Sequence, residues 1–477
     1  MQLNQAIARK QANQSKHIEH TTLGSKMNKR KPNNIEKTVT FKKIAPVLAA
    51  ASCSVLGMGQ ALAQENSGDW KFDIATLFYA ESDSRVSAIE PVFNATKTYN
   101  DGEVLNYKVV FDTLTGASPN GATPSDTAQT FTTPSGNGSY SADAGETPLD
   151  DTFKDTRGAV SVNWSAPLNR DWEYSAGAYG SKEYDYLSLG LNGGLKRYFN
   201  QKNTALNFGL AFSSDMIEPE GGKPIGLSKM AIPGEPAFQT NFDATREDSS
   251  DNKTIIDALF GVTQVINAKT IMQFNYGLSL SDGYLNDPFK VLSVIETTAG
   301  ANYGGNLKDG NGNNIYLYEA RPDSRMKHSF FWQTKYALDN GDVIDGSYRF
   351  MLDDWGINSH TFDFRYRWQL GDSYLEPHIR YYLQSEADFY KRYITENEYN
   401  GGTPTFQEAS ADERLSDMDA LTVGVKYGYK IGKDQEINMR AEYYMQGHSG
   451  DNGFGKLASQ DLYPDSNALI FQIGYSF

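Results

Sequence analysis

Charged and imidazole side chains recur at alternate positions along five successive segments between residues 343 and 446. Alternate positions share one face of a β-strand, so these residues would line a common wall. Since opposed cross-strand residues lie about 5 Å apart, we expect much of this charge to pair across strands. Such a wall selects ions in an open channel, and it serves equally as a solvated wall that keeps the protein rigid. The residues predicted to line it are Arg349, Asp363, Arg365, Arg367, Glu376, His378, Arg380, Lys426, Lys430, Arg440 and Glu442.

Residues with catalytic potential do not form a catalytic motif. Four histidines follow residue 63, namely His328, His360, His378 and His448, and the sequence contains no GxSxG, HExxH or P-loop pattern. Asn358 and Ser359 precede His360, but a working triad needs groups that converge from distant parts of the chain. We expect that the protein is not an enzyme.

The segments that must carry these residues alternate strictly between apolar and polar side chains. In TFDFRYRWQL (361–370) the aromatic residues share one face and the charged residues share the other. Residues 271–280 and 204–212 show the same period of two, which is typical of strands. A soluble sandwich would bury its apolar face inside and place charge on its edges. A wide, uncharged aromatic face repeated this often instead predicts an all-β fold, a transmembrane antiparallel β-barrel.

The alternation continues to the last residue of the chain. Chain ends fray unless they are tied down, so a regular terminal strand must be held on both sides by neighbouring strands. We interpret the apolar set as both a lipid-facing row and the signature by which the outer-membrane assembly machinery recognises barrel proteins. Its residues are Leu469, Phe471, Ile473, Tyr475 and Phe477.

Loop lengths support about 16 strands, an even number that places both chain ends in the periplasm. Tight turns alternate with long loops along the chain, and bacterial barrels place short turns in the periplasm and long loops outside. Pro91 and Pro377 fall within predicted strands and are anomalies, the second tolerable only near a strand start. The predicted strands are 70–80, 85–98, 104–115, 156–166, 172–181, 184–198, 203–214, 253–266, 270–281, 327–338, 343–353, 358–370, 374–385, 419–431, 436–446 and 467–477. Trp70, Trp164, Trp172 and Trp368 fall at periplasmic strand ends, as an interfacial girdle requires.

Residues 1–63 have the pattern of an N-terminal extension and a secretory signal peptide, which leaves 64–477 as the barrel. A basic segment precedes the apolar run IAPVLAAASCSVLGMGQALA, and Ala61 and Ala63 form a small-residue cleavage site. Either Met1 or Met27 is the start. A lipoprotein anchored at Cys53 is the alternative, although the better cleavage site lies downstream.

Removal of the signal makes the mature chain strongly acidic. The whole chain has a net charge of −15, and residues 1–63 contain ten Lys or Arg and two Asp or Glu, so the mature charge is −15 − 8 = −23. This balance argues against a nucleic-acid partner. The single cysteine lies in the signal, which excludes disulfides and thiolate metal sites from the exported chain.

Five stretches resemble a bacterial family of outer-membrane barrels known only as a domain of unknown function. They are DTLTGASPNGA (112–122), SDGYLNDPFK (281–290), ARPDSR (320–325), DDWGINSH (353–360) and QSEADFY (384–390). The resemblance implies a barrel in the Gram-negative outer membrane, with a small lipoprotein as a candidate partner. It implies no activity.

The five stretches map to the extracellular ends of strands or to the adjoining loops. Their Gly, Pro, Asp and Arg residues form turns and loop-packing ion pairs in one interpretation. In the other they fold together over the mouth as a cap or binding surface. Their acidic groups would then suit Ca²⁺ or cation-bridged lipopolysaccharide, although no calcium-loop spacing is present. The residues of this predicted cluster are Asp282, Asp287, Arg321, Asp323, Arg325, Asp353, Asp354, Trp355 and Asp388.

Two functions fit this architecture. The first is a porin-like channel or transporter with a charged lumen, since about 16 strands enclose an aqueous channel unless loops fill it. The alternative is a non-conducting barrel that acts as a scaffold or export partner for a surface or periplasmic protein. Whether loops 116–155 and 282–326 fold inward distinguishes the two. In either case the expected partners are outer-membrane lipid, lipopolysaccharide and the assembly machinery.

Overall fold

A computed structural model describes residues 70–82 and 85–477, and for residues 151–153 it describes the backbone alone. The strands in chain order are β1 (Trp70–Glu81), β2 (Ser87–Thr98), β3 (Val104–Pro119), β4 (Gln129–Thr132), β5 (Ser139–Ala142), β6 (Leu149–Pro167), β7 (Trp172–Lys182), β8 (Tyr186–Phe199), β9 (Thr204–Ile217), β10 (Asp251–Asn267), β11 (Thr270–Gly283), β12 (Val291–Ile295), β13 (Tyr316–Tyr318), β14 (Ser324–Ala337), β15 (Val343–Asp353), β16 (Asn358–Leu370), β17 (Ser373–Gln384), β18 (Ile394–Thr395), β19 (Asp417–Lys430), β20 (Glu436–Ser449) and β21 (Ser466–Ser476). Two short α-helices are α1 (Phe238–Asp243) and α2 (Glu396–Tyr399).

Sixteen of these strands form one closed antiparallel barrel. Their order is β1-β2-β3-β6-β7-β8-β9-β10-β11-β14-β15-β16-β17-β19-β20-β21. Each barrel strand therefore pairs with the barrel strands before and after it in sequence, and the last pairs with the first. The predicted fold class and strand number are confirmed, and each predicted strand overlaps one of the sixteen. Short turns such as 268–269 and 371–372 lie at one end, which is the periplasmic end.

The terminal strand closes the barrel as its alternation predicts. β21 pairs with β20 on one side and with β1 on the other, from Asp73 opposite Ser476 to Glu81 opposite Ala468. The Phe477 amide donates to the Phe72 carbonyl at 2.9 Å, and the Phe72 amide donates back at 2.7 Å. The two rings lie 5.3 Å apart on the outer face. β21 is therefore paired with β1 from Ala468 to Ser476 and with β20 from Ser466 to Ser476.

Both anomalous prolines lie inside strands, where gaps in the pairing accommodate them. The β2–β3 pairing is interrupted between Ile89 and Val92, beside Pro91. Likewise, the β16–β17 pairing skips Pro377, which is the fifth residue of β17 rather than a strand start. Because proline has no N–H to donate, an interrupted ladder is the site where it costs least.

The outer face of the barrel is an apolar, aromatic band. Phe274, Phe330 and Phe364 are about half exposed. They lie on the outer face, where the residues opposite them in the neighbouring strands also face outward. Two histidines also face outward, and each is hydrogen-bonded to a tyrosine of the next strand: His328 to Tyr276 at 2.8 Å and His360 to Tyr348 at 2.8 Å. Such a surface is stable against lipid rather than water.

Within residues 70–82 and 85–477, no helix has the length and apolarity to cross a membrane.

The long loops fold into a cap at the extracellular end. The cap contains the β4–β5 hairpin, the sheet β13-β12-β18, and both helices. Its apolar core includes Leu292, Val294 and Ile394, all fully buried. A second apolar cluster packs Phe131 against Tyr316, with ring centroids 4.7 Å apart. The largest buried side chains of the described residues thus lie in the cap, because the barrel wall itself faces lipid on one side and polar space on the other.

The predicted signal peptide, including Ala61, Ala63 and Cys53, lies outside the described residues. So does the start of the predicted domain 64–477 before Trp70.

Candidate functional site: the lumen and its cap

A large cavity occupies the barrel lumen. Its volume is about 1850 Å³. The lining extends from Lys71 and Lys202 at the periplasmic end to Asp287 and Arg414, which belong to the cap. The space is therefore continuous between the periplasmic end of the wall and the underside of the cap.

The strands place the predicted wall residues as their period of two requires. Arg365, His378, Arg380, Arg440 and Glu442 all line the cavity. The others lie on the same face by register or by alternation with these residues: Arg349, Asp363, Arg367, Glu376, Lys426 and Lys430. The eleven residues thus occupy the inner face of five adjacent strands, β15, β16, β17, β19 and β20.

His378 is the centre of a compact ionic cluster in this wall. Its Nε2 lies 2.9 Å from Asp363 Oδ2, and its Nδ1 lies 2.8 Å from Glu442 Oε1. Arg365 contacts Asp363 at 3.3 Å, and Arg440 lies 3.8 Å from Glu442. One imidazole consequently bridges two carboxylates, Asp363 of the adjacent strand β16 and Glu442 of β20, which lies beyond β19. Each carboxylate also has an arginine neighbour.

The remaining wall charges follow the cross-strand register only in part. Arg367 donates to Glu376 at 2.6 Å, and the pairs on either side, Arg365 with His378 and Trp368 with Leu375, place these two residues opposite each other. Lys426 lies opposite Glu376 on the other side, in β19. Lys426 instead lies over the Tyr374 ring at 5.7 Å. Arg349 lies over the Phe331 ring at 5.5 Å, and Lys430 lies exposed at the periplasmic strand end. Register therefore accounts for the Arg367–Glu376 pair but not for the position of Lys426 over an aromatic ring.

The underside of the cap contains a buried network of ion pairs. Glu319 is 3% exposed and Asp412 is 0% exposed. Arg321 contacts both, at 2.7 Å to each carboxylate. Arg414 contacts Asp412 at 2.5 Å and Asp287 at 2.6 Å. Buried carboxylates need such partners, because an uncompensated buried charge is strongly destabilising.

Electrostatics within this network favour the ionised form of Asp412. Burial by itself would raise the pKa of Asp412, but Arg414, Lys290 and Arg321 together hold that pKa well below its ordinary range. In Glu319 the balance is reversed. Burial raises the pKa of Glu319 despite the lowering effect of Arg321. Asp412 is thus the carboxylate whose charge holds the arginines in place.

Two further contacts join the cap to the barrel wall. Lys290 Nζ donates to the Pro119 carbonyl, at the end of β3, at 2.5 Å. Arg85 contacts Glu81 of β1 at 3.2 Å and Glu413 of the cap at 3.0 Å. Lys290, Arg85 and Glu413 all line the lumen cavity. The cap therefore contacts β1 and β3, the two outer strands of the β1-β2-β3 segment. It forms the roof of the cavity above that segment.

The second part of the predicted loop cluster surrounds Trp355, which is buried. Its Nε1 donates to the Ser324 carbonyl at 2.8 Å, and the Arg325 guanidinium lies 4.3 Å from its ring centre. Arg325 Nε donates to Asp353 at 2.8 Å. Asp354 accepts from the Met326 amide at 2.9 Å. The DDWGINSH and ARPDSR stretches therefore pack against each other.

The structure separates the nine predicted loop residues into groups. Asp287 and Arg321 belong to the buried network, and Arg325, Asp353, Asp354 and Trp355 form the second cluster. Asp388 joins the second cluster through its amide, which donates to the Trp355 carbonyl at 2.8 Å. Asp282 is the last residue but one of β11 and lies opposite Ser324, and the Asp323 carbonyl accepts from the Gly283 amide. Among the described residues, no three His, Cys, Asp or Glu side chains converge as they would around a metal ion.

Sequence reasoning missed the most deeply buried members of the network. Glu319, Asp412 and Arg414 lie in long loops, where a charged residue is ordinarily solvated. Asp412 is part of ADER (411–414), and the two acidic residues followed directly by an arginine in that run are one available signal. Glu319 directly precedes the ARPDSR stretch, so its position beside a recognised stretch was a further indication.

Comparison with known proteins adds a family and a set of structural likenesses. The model of the family described as "Protein of unknown function (DUF3570)" matches residues 45–477. No curated protein sequence matches the chain. Among solved structures the chain is similar to the CymD monoaromatic hydrocarbon channel, with TM-score 0.36 and 7% identity over 86% of this chain and 88% of that one.

Two other likenesses have similar values. The ferric enterobactin receptor PfeA from Pseudomonas aeruginosa gives TM-score 0.40 and 10% identity over 85% of this chain and 60% of that one. A loop-deletion mutant of OmpT, an outer membrane protein of Vibrio cholerae, gives TM-score 0.35 and 10% identity over 86% and 98%. At these TM-scores the likenesses carry no argument about what this chain binds or transports.

Proposed function

The chain belongs to the DUF3570 family, and we propose from its own structure that it is a porin-like outer-membrane channel for small polar solutes with a covered mouth. The barrel provides the pathway and the charged wall provides selectivity. The cap restricts what enters from the extracellular side.

The lumen cavity is the observation that carries this proposal. A barrel that served only as an anchor would gain stability by filling its interior with packed side chains. Here about 1850 Å³ remains open, and charged residues on many strands line it. Unpaired charge on such a wall is stable only where water reaches it. The cavity is therefore suited to hydrated solutes.

Conductance measurements test the proposal. The purified full chain, reconstituted in planar bilayers, should give discrete conductance steps in KCl. The Arg321→Met variant, which loosens the cap, should give larger or more frequent openings if the cap limits flow. An absence of steps from both proteins, with correct folding shown by heat-modifiable gel migration, would overturn the channel.

A specific observation favours the alternative, a non-conducting scaffold or export partner. The cap has its own apolar clusters and a buried ionic network, and Asp287, Lys290, Glu413 and Arg414 form part of the cavity roof. A rigid cap of this kind offers a surface to a protein partner such as a small lipoprotein. The two proposals differ in what they predict for Arg321→Met. A channel predicts larger or more frequent openings in this variant, whereas a scaffold predicts no conductance.

The outer surface supports our proposal for the location and the lipid partners of the barrel. The aromatic band fits a bilayer, and the closed barrel is the architecture found in the Gram-negative outer membrane. We propose that the cap faces lipopolysaccharide and that the assembly machinery inserts the barrel by way of the row that ends at Phe477. Fractionation of cell envelopes tests the location, and recovery of the mature protein from the periplasm without detergent would contradict it.

A further inference from the structure

We infer that the lumen contains an anion-binding subsite centred on Arg380, which takes a carboxylate or phosphate group of the solute. This inference rests on the proposed function, since it names the chemical class of solute that the lumen accepts. It follows from the position of Arg380, an arginine that lines the cavity and for which the described residues provide no ion pair or hydrogen bond.

Other arginines that face the lumen have partners. Arg157 contacts Asp112 at 2.6 Å, Arg367 donates to Glu376, and Arg440 donates to Gln472 at 2.6 Å. Arg365 contacts Asp363, and Arg349 lies over an aromatic ring. In contrast, the described part of the chain provides Arg380 with no ion pair and no hydrogen bond to its guanidinium, which is exposed to the cavity that it lines.

The natural partner of Arg380 is occupied. Asp363 lies directly opposite Arg380 in β16, yet Asp363 accepts from His378 and from Arg365 instead. On the other side, Arg380 faces Thr422 of β19, which carries no charge. The guanidinium is thus left with its planar set of donors directed at the cavity rather than at a protein carboxylate.

The local charge favours an anion. Around His378 the wall contains Arg365, Arg380 and Arg440 against Asp363 and Glu442, so these five side chains sum to +3 − 2 = +1. Both ring nitrogens of His378 lie within 2.9 Å of carboxylate oxygens, and protonation of the imidazole only adds to this positive sum. A guanidinium binds planar carboxylate or phosphate oxygens in pairs, which gives geometric as well as electrostatic selection. Low-dielectric walls strengthen this attraction, because they focus the field into the lumen.

Chemical labelling tests the subsite without any need for conduction. Phenylglyoxal modifies free guanidinium groups, and mass spectrometry locates the modified residue. We expect Arg380 in the folded full chain to react faster than the paired Arg367. Inorganic phosphate should slow the labelling of Arg380, by about threefold at twice its dissociation constant, because occupancy protects in proportion to ligand concentration. Equal labelling of the two arginines, or no protection by phosphate, would overturn the subsite.

Bilayer recordings separate this inference from the proposed function. In a KCl gradient, Arg380→Gln should shift the reversal potential toward cation preference, whereas the matched variant Arg367→Gln, which removes a paired charge, should shift it less. Protection by phosphate without conductance supports the subsite and contradicts the channel. Conductance with an unchanged reversal potential in Arg380→Gln and no phosphate protection contradicts the subsite and leaves the channel intact.

Discussion

Replacement of Arg321 by methionine is expected to open the cap while the barrel stays folded. Methionine retains much of the buried stem but removes the guanidinium that contacts both Glu319 and Asp412. Breaking a buried ion pair costs about 3–5 kcal/mol. Asp412 keeps Arg414, and Glu319 keeps the Ser410 hydroxyl as a donor, so we expect the lower end of that range.

Hydrogen exchange followed by mass spectrometry measures this effect where it occurs. A loss of about 3 kcal/mol corresponds to about 100-fold faster exchange at 1.36 kcal/mol per tenfold. The faster exchange should be confined to the cap strands β12 and β13, and the amides of the barrel strands should be unchanged. Lys308→Met, at an exposed cap lysine, is the matched control and should have little effect. Equal exchange in the two variants would refute the view that the buried network holds the cap.

Three other outcomes are expected. Phe274→Arg, on the lipid face, should lower the free energy of unfolding in liposomes by about 2–4 kcal/mol. Gln273→Arg, one residue away on the lumen face, should change that free energy little. Equal losses for the two variants in urea titrations would contradict the assignment of faces. Deletion of residues 475–477 should abolish the heat-modifiable form, because it removes the end of the β21–β1 pairing and the last residues of the predicted assembly signature. Comparable amounts of folded truncated and full chains would count against this. Since the pKa of folded Asp412 lies well below its unfolded value, the stability that it contributes is present above about pH 4 and is lost as the pH falls further. Pepsin cleavage within 284–323 should therefore rise as the pH falls from about 4 toward 2, and a rise of the same steepness in Asp412→Asn would show that another group is responsible.

The barrel was predictable because one physical rule governs all of its strands. A wall between lipid and water imposes a period of two, and the period appears directly in stretches such as 361–370. Turn lengths then gave the number of strands. The two prolines were recognisable in the sequence as anomalies. The interrupted pairing beside Pro91 and Pro377 was not predictable, because the sequence does not show which backbone hydrogen bonds between strands are absent.

The cap and the pairing of lumen charges were less accessible. Cap strands such as β12 and β13 are three to five residues long, and the residues that bury them come from loops far apart in the chain. Their pattern is therefore too short for periodicity to show. In the lumen, register placed Asp363 opposite Arg380, but the choice of His378 and Arg365 as its partners depends on side-chain reach. Sequence identifies the face on which a charge lies, and three-dimensional contacts decide its partner.

Thiol modification of the lumen tests the channel most directly. The mature chain is predicted to contain no cysteine, so a single cysteine can be introduced at a chosen position. Ser161 lines the cavity. The next residue, Val162, lies opposite Tyr107, which faces outward. A charged, membrane-impermeant methanethiosulfonate should reduce the bilayer conductance of Ser161→Cys and leave that of Val162→Cys unchanged. Conductance that is equally insensitive in both variants would show that ions do not pass through this lumen.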